Sequence, residues 1–246
     1  ALGVPVIGVA GSAFASNSAG FFTTFSMENF VAFVELPGLW STVETTLILS
    51  TVSAAGVVFF SLFISYTGVK LDIKYVTKSS DYIATLPLGF PPIVYGVAIF
   101  WFVMLSPFRA VYGTIWPLIL AVIFLKIPHG VRMISSSLIQ ISDELEDAGR
   151  VSGASWPTNF RKITVPLLKG GLGNAFLFTF IDAAKELAAV ILLVTAGNQV
   201  LMGLLLMLWN ENPSTLPIIA AGSLLFTLVL AVFTYFQARL GSLGSA

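Results

Sequence analysis

The chain of 246 residues contains no cysteine and one histidine, His129. The first absence excludes disulfides and thiolate metal sites, and the second leaves almost no scope for an imidazole metal cluster. Charge is scarce too: Asp, Glu, Lys and Arg make up 10% of the chain and cancel to a formal net charge of +0, against roughly 25% charged residues in ordinary soluble domains. That balance argues against nucleic acid as a partner. No G-x-x-x-x-G-K-[ST] phosphate loop occurs, so the chain carries no such cradle for nucleotide phosphates, and no cofactor is expected in it. Period-two alternation, the mark of a membrane β-barrel, is missing as well.

What the chain has is apolar sequence: 57% of it is hydrophobic, with a mean hydropathy of +0.93. A membrane-crossing helix needs about 20 mostly apolar residues. Val43 to Tyr66, Pro87 to Leu105, Tyr112 to Ser135, Lys169 to Thr195 and Leu216 to Arg239 meet that length. Runs such as AAVILLVTA are apolar on every side. These features predict an all-α, polytopic transmembrane helical bundle. Ala1 to Gly20 is apolar, small and Gly/Ser-rich, without the basic start of a signal peptide. It reads as the tail of a helix, so residues 1–25 are expected to be a partial N-terminal transmembrane segment and the chain a fragment or second half of a longer one.

Lysine and arginine are retained on the cytoplasmic side in short loops. Lys70, Lys74 and Lys78 share one loop, Arg150, Arg161, Lys162 and Lys169 another, and Arg239 follows the last span. All fall on one side if every segment crosses. The other side carries Arg109 with Glu28, Glu35, Glu44 and Glu211. The loop at residues 143–169 is therefore expected to be cytoplasmic.

That loop, DELEDAGRVSGASWPTNFRKITVPLLK, concentrates charge in an otherwise apolar chain. Asp143 suits a helix start, with Glu146 in capping-box spacing and acids in the first turn. Leu145, Ala148 and Val151 recur at three-to-four spacing and give a narrow apolar face. Gly153 suits a left-handed helix end, and Pro157 the first turn of a second short helix. The expected product is two short helices with a sharp bend, a knob that fits a partner's groove. A solvated loop is the plainer alternative.

The order Asp147, Ala148, Gly149, three residues, Gly153, nine residues, Ile163, one residue, Val165, Pro166 resembles the EAA loop of ABC importer permeases, E-A-A-x3-G-x9-I-x-L-P. Asp147, Gly149 and Val165 depart from it conservatively, and Gly149 costs the helix about 1 kcal/mol relative to alanine. FSMENFVAFVELPGLWSTVETTLILS and TLPLGFPPIVYGVAIFW resemble the first and second core spans of these permeases. FIDAAKELAAVILL is similar to the segment after the loop in the ferric-iron, thiamine and polyamine branch. The resemblance covers most of the chain from about Phe25 onward. It implies five core spans plus a partial N-terminal span, with residues 26–246 as the permease domain and 143–169 as its coupling loop.

The resemblance further implies a prokaryotic inner-membrane, multi-pass permease that forms half of a translocation path and is not itself an enzyme. Its partners would be ABC ATPase subunits holding ATP and Mg, a second permease half, identical or fused, and an external substrate-binding protein. Glu146, Asp147, Ala148, Gly149, Gly153, Ile163 and Pro166 would couple to the ATPase, with Glu146 and Asp147 facing its basic groups. Ferric iron is the first substrate expectation, ahead of polyamine, thiamine, phosphonate or a molybdate-like oxyanion.

Asp182, Lys185 and Glu186 sit inside an apolar segment. Charges there are costly and normally face a partner or a water-filled path. Either they form an Asp182–Lys185 pair with Glu186 bonded to a neighbouring helix, or they line the translocation path or gate; the two are compatible. Lys126, His129 and Arg132 read most simply as snorkelling toward the headgroups. Pro87, Pro91, Pro92, Pro117 and Pro128 are expected to interrupt membrane helices, and such breaks can line cavities. Asn198, Asn210, Glu211 and Asn212 fall on the external side, within reach of a binding protein. A membrane-embedded enzyme would need converging titratable groups, and a channel or scaffold would need no coupling loop.

Overall fold

The computed structural model describes residues 3–15, 25–70, 82, 85–105 and 107–243. Their helices are α1 (Gly3–Phe14), α2 (Glu28–Val34), α3 (Leu39–Lys70), α4 (Pro92–Leu105), α5 (Trp116–Ile139), α6 (Asp143–Val151), α7 (Trp156–Ala184), α8 (Leu201–Glu211) and α9 (Leu216–Leu243). Lys74 and Lys78 lie outside the described residues.

Four helices, α3, α5, α7 and α9, are long and apolar enough to cross a membrane. The segment expected to span from Pro87 to Leu105 is instead a short 3-10 turn, Leu86–Gly89, followed by the 14-residue α4. At 1.5 Å per residue α4 covers about 21 Å, less than a hydrocarbon core of roughly 30 Å. Prolines account for the division: Pro91 and Pro92 cannot continue a helix from upstream, and the Tyr95 hydroxyl donates to the Pro87 carbonyl at 2.6 Å, folding the turn back on α4. Pro117 and Pro128 do not interrupt α5. Pro117 sits in its first turn, where no amide partner is lost, and the helix runs unbroken through Pro128.

Small residues set the central packing. The buried face of α3 presents Ser50, Ser53, Ala54, Val57, Ser61 and Ser65. A Cβ on Gly130 of α5 would stand 2.5 Å from Ser61 Oγ, and one on Gly56 would stand 2.5 Å from Ile123 Cδ1. Close helix approach through small residues is how bundles pack where lipid removes the hydrophobic drive between helices. Ser61 and Ser65 also donate to the Ile127 and Val131 carbonyls at 3.3 and 3.1 Å. Leu49, Val57, Leu118, Val122, Val190 and Leu193 fill the space around this seam. The N-terminal α1 packs Ala13 against Ala220 and Ala221 of α9.

The span expected over Lys169 to Thr195 begins and ends earlier. α7 starts at Trp156 and stops at Ala184, and residues 185–200 run in turns. Irregular backbone at membrane depth is tolerated where protein encloses it or where it lines a water-filled cavity. Here Ala189, Val190, Leu193 and Asn198 are buried, and a Cβ on Gly96 of α4 would meet the Ala189 carbonyl at 2.5 Å. Hydropathy does not show the length of this break, because residues 187–194 are apolar throughout.

Candidate functional site

Helix α6 is capped by Ser142, whose Oγ accepts from the Glu144 amide at 3.3 Å. Asp143, the expected cap, occupies the next position and takes Lys70 Nζ at 2.6 Å. Lys70 ends α3 and also donates to the Ile141 carbonyl at 2.8 Å. The hydrogen bond and charge of Lys70 hold the Asp143 carboxyl below its usual range. At the other end Gly153 adopts φ +82°. Its amide donates to Arg150 O at 2.9 Å and the Ala154 amide to Gly149 O at 3.0 Å, the paired bonds of a Schellman helix end. The left-handed bend falls where glycine predicts it.

The second short helix is not separate. Trp156 to Asn159 continue through one π turn, Phe160–Thr164, into the rest of α7. Pro166 lacks an amide hydrogen and crowds the carbonyl four residues back. The widened turn, with Val165 N–H bonding to Phe160 O, carries the helix past the proline instead of ending it. One short helix therefore abuts the tip of a long one, and Pro166 lies exposed on the long one.

α6 buries one carboxylate and leaves its apolar stripe outside, among exposed charges. Leu145, Asp147, Ala148 and Val151 point outward, with Val151 89% exposed. Glu146 points inward and is 5% exposed. The expectation that Glu146 faces a partner is corrected: its Oε1 accepts from Thr164 Oγ1 at 2.8 Å and its Oε2 from the Tyr66 hydroxyl at 3.3 Å. Asp147 remains outward, paired with Arg150 at 3.4 Å. Gly149 also faces inward. A Cβ there would collide with Asn159 Oδ1 and stand 3.0 Å from Ile163 Cδ1, while Asn159 Nδ2 donates to the Glu146 carbonyl at 2.7 Å. The departure from alanine at 149 thus makes room for Asn159.

The intramembrane acids converge on a residue that snorkelling misreads. Lys126 is buried and binds Asp182 Oδ2 at 2.5 Å and Glu186 Oε2 at 2.9 Å. It lies about 15 Å along α5 from Trp116, near half the depth of a hydrocarbon core. Asp182 also pairs with Lys185 at 3.1 Å, and Glu186 Oε1 accepts the Ala189 amide at 3.2 Å. The structural reading of the acids is what these contacts match: an Asp182–Lys185 pair at the end of α7, and Glu186 bonded to a residue of a neighbouring helix. Lys126 and Lys185 stand at the C-terminus of α7, where its dipole favours cations. The sequence held one clue to Lys126. Residues 182–186 carry two acids and one base, a surplus that a cation from another span must offset.

His129, one turn beyond Lys126, stacks on Phe178 with ring centroids 6.0 Å apart. Its Nδ1 is buried with no hydrogen-bond partner among the described residues. No group of three or more His, Cys, Asp or Glu side chains among the described residues is arranged to hold a metal ion.

At the opposite end, Asn198 is not free for a partner. It is buried, its Oδ1 accepts the Thr195 amide at 2.6 Å and its Nδ2 donates to the Thr114 carbonyl at 2.7 Å. Asn210, Glu211 and Asn212 are exposed. Between the 187–199 turns and α8 opens a cavity of about 610 Å³ lined by Leu187, Ile191, Thr195, Gln199, Met207 and Glu211 among others.

Residues 73–242 match the family described as binding-protein-dependent transport system inner membrane component. A putative ferric transport system permease protein of Haemophilus influenzae is 31% identical over 164 residues, 66% of this chain and 26% of that protein. The chain thus spans about a quarter of the length of that relative. A diacetylchitobiose uptake system permease protein of Streptomyces coelicolor is 25% identical over 93% of this chain and 82% of its own length. Among solved structures, a bacterial alginate ABC transporter in complex with a periplasmic protein bound to alginate pentasaccharide contains a chain of the same fold. Its TM-score is 0.72 at 15% identity, over 97% of this chain and 88% of that one.

Proposed function

This chain belongs to the family of binding-protein-dependent transport system inner membrane components, the ABC importer permeases, and from that premise we propose that it forms half of a translocation path driven by ATP hydrolysis on a separate chain. ATP and Mg are held by that ATPase, a second permease half completes the path, and an external binding protein delivers the cargo. Residues 26–246 form the permease domain, and residues 1–25 precede it as an N-terminal membrane segment. The α6 end of the bundle faces the cytoplasm of a prokaryotic cell.

The observation that carries the coupling role is the exposed apolar stripe of α6. A short, charge-rich helix that exposes Leu145 and Val151 while burying a carboxylate leaves its apolar face for another protein to cover. Asp147 and Ala148 sit on that outward face and Gly153 fixes the bend beside it. Gly149, Ile163 and Pro166 shape the support beneath.

Asp182, Lys185 and Glu186, joined by Lys126, are assigned to the path or its gate. The cluster lies at the mid-height break of α7, and its Lys185 side chain is exposed, as expected of charges that face a water-filled route. The cargo is ferric ion. The ferric permease named above supports that choice, and the loop-distal segment FIDAAKELAAVILL points the same way.

Gly153→Arg tests the coupling role. Arginine at φ +82° is strained whatever space surrounds it. The variant is expected to insert in the membrane but to lose ATPase co-purification and uptake. Uptake at the parent rate by Gly153→Arg sinks the importer reading.

A further inference from the structure

We propose that Glu146 is a positioning residue that locks α6 to two membrane helices at once, so that movement of the coupling helix is delivered to α3 as well as to α7; this rests on the coupling role proposed above. Glu146 is 5% exposed in a helix whose neighbours on either side, Leu145 and Asp147, are exposed. Its two carboxylate oxygens divide between two partners on different elements. Oε2 takes the hydroxyl of Tyr66, near the end of α3, and Oε1 takes Thr164 in the π turn of α7.

A carboxylate buried this deeply is costly unless its lone pairs are met, and here the donors come from the two spans to be moved. The backbone of the same residue is gripped as well, since Asn159 of α7 donates to the Glu146 carbonyl at 2.7 Å. Tyr66 is fixed in turn: Trp156 Nε1 donates to its hydroxyl at 3.1 Å. The rings of Tyr66, Trp156 and Phe160 pack within 5.1 to 5.8 Å of one another. Glu146 itself is 5% exposed, and charge-assisted hydrogen bonds are stronger where water is excluded.

The remaining tie is Lys70, four residues beyond Tyr66, which holds the N-terminal end of α6 through Ile141 O and Asp143. That ion pair is exposed on the Asp143 side and worth little by itself. Glu146 is the enclosed member and the one that touches both α3 and α7. Without it, α6 stays joined to α7 through the bend at Gly153 and the packing of Asn159 and Ile163 on Gly149, and its grip on α3 reduces to Lys70. Force applied to the outward face of α6 then tips that helix about Gly153 instead of moving the two spans.

The test needs no knowledge of the cargo. Gln199 lines the cavity at the opposite end, and the chain has no cysteine, so Gln199→Cys places a single reporter thiol in this chain within the assembled transporter. With the ATPase and second permease half bound, trapping ADP on the ATPase with vanadate after ATP hydrolysis is expected to change the maleimide labelling rate of that thiol at least fivefold. Adding Glu146→Ala is expected to abolish the change while the ATPase still co-purifies, and Glu146→Gln, which keeps an acceptor for Thr164, is expected to restore most of it. A full response in Glu146→Ala overturns the proposal. So does loss of ATPase co-purification in that variant, since Glu146 would then act in docking. Should Glu146→Ala fail to accumulate, Tyr66→Phe and Thr164→Val each remove one donor and must weaken the response, or the proposal falls. A parent that neither binds the ATPase nor responds to ATP sinks the coupling role itself and so marks that failure apart from this one.

Discussion

Lys126 serves two carboxylates with one amine, and the cost of removing it follows from what stays behind. In Lys126→Met, Asp182 and Glu186 face each other without their shared cation. Losing one member of a buried ion pair costs about 3–5 kcal/mol, and the partial exposure of Asp182 argues for the lower end. The purified protein should therefore melt at a lower temperature, and the double variant Lys126→Met, Glu186→Gln should recover part of the loss because it removes one stranded charge. A melting point unchanged by Lys126→Met would show that the cluster adds nothing to stability. At this scale the sequence revealed charges but not their partners. Asp182 and Lys185 are three residues apart on one helix, so their pairing was legible. Lys126 is sixty positions from Glu186 and looked like one more cation near a span end. Glu146 misled in the opposite way: a charged residue in a charged loop reads as facing a partner, and only the folded placement of Tyr66 and Thr164 turns it inward.

Among the elements, α6 offers the sharpest conflict between local preference and packing. Gly149→Ala should strengthen an isolated helix by about 1 kcal/mol. In the folded protein the new methyl meets Asn159 Oδ1 and Ile163, and forcing extra volume into a packed contact typically costs about 1–3 kcal/mol. We expect a net loss of thermal stability in Gly149→Ala, relieved when Asn159→Ala is added. A melting point raised by Gly149→Ala alone would mean that Asn159 yields freely. The N-terminal tie of α6 responds to pH. Because Lys70 depresses the Asp143 carboxyl, this tie contributes above the ordinary value of 3.8 and is lost as pH falls through the lower folded value. Lys70→Met should remove that acid-sensitive component from the stability profile while leaving neutral-pH insertion intact. The long helices were legible because α3 and α9 are long apolar runs and α5 is apolar over its first ten residues. The break at Ala184 was not, since residues 187–194 are as apolar as any helix. Beyond Ala184 the chain is tied by Glu186 and Asn198 to Lys126 and Thr114, far away in sequence. The π turn at 160–164 was likewise hidden, because Pro166 reads as a stop and becomes one only if the helix cannot widen.

For the whole molecule, the distribution of charge along the bundle and the direction of each helix make one joint prediction about orientation. α3 runs toward the α6 end and finishes at Lys70, α5 runs to the same end, and α7 leaves it past Arg161, Lys162 and Lys169. α9 returns to it and carries Arg239 in its final third. The other end holds Arg109, Glu28, Glu35 and Glu211. Basic residues near span ends favour the cytoplasmic side, which places α6 inside the cell and the turn at Pro213–Thr215 outside it. The absence of cysteine makes this directly measurable, because one introduced thiol is the only one in the chain. Val151→Cys marks the outward face of α6, where the residue is 89% exposed, and Ser214→Cys marks the exposed turn before α9. In intact cells lacking the ATPase a membrane-impermeant maleimide should label Ser214→Cys readily and Val151→Cys only after the membrane is opened. The reverse pattern would invert the bundle and put the coupling helix on the side without ATP, and labelling of both in intact cells would contradict a bundle whose two ends are separated by a membrane.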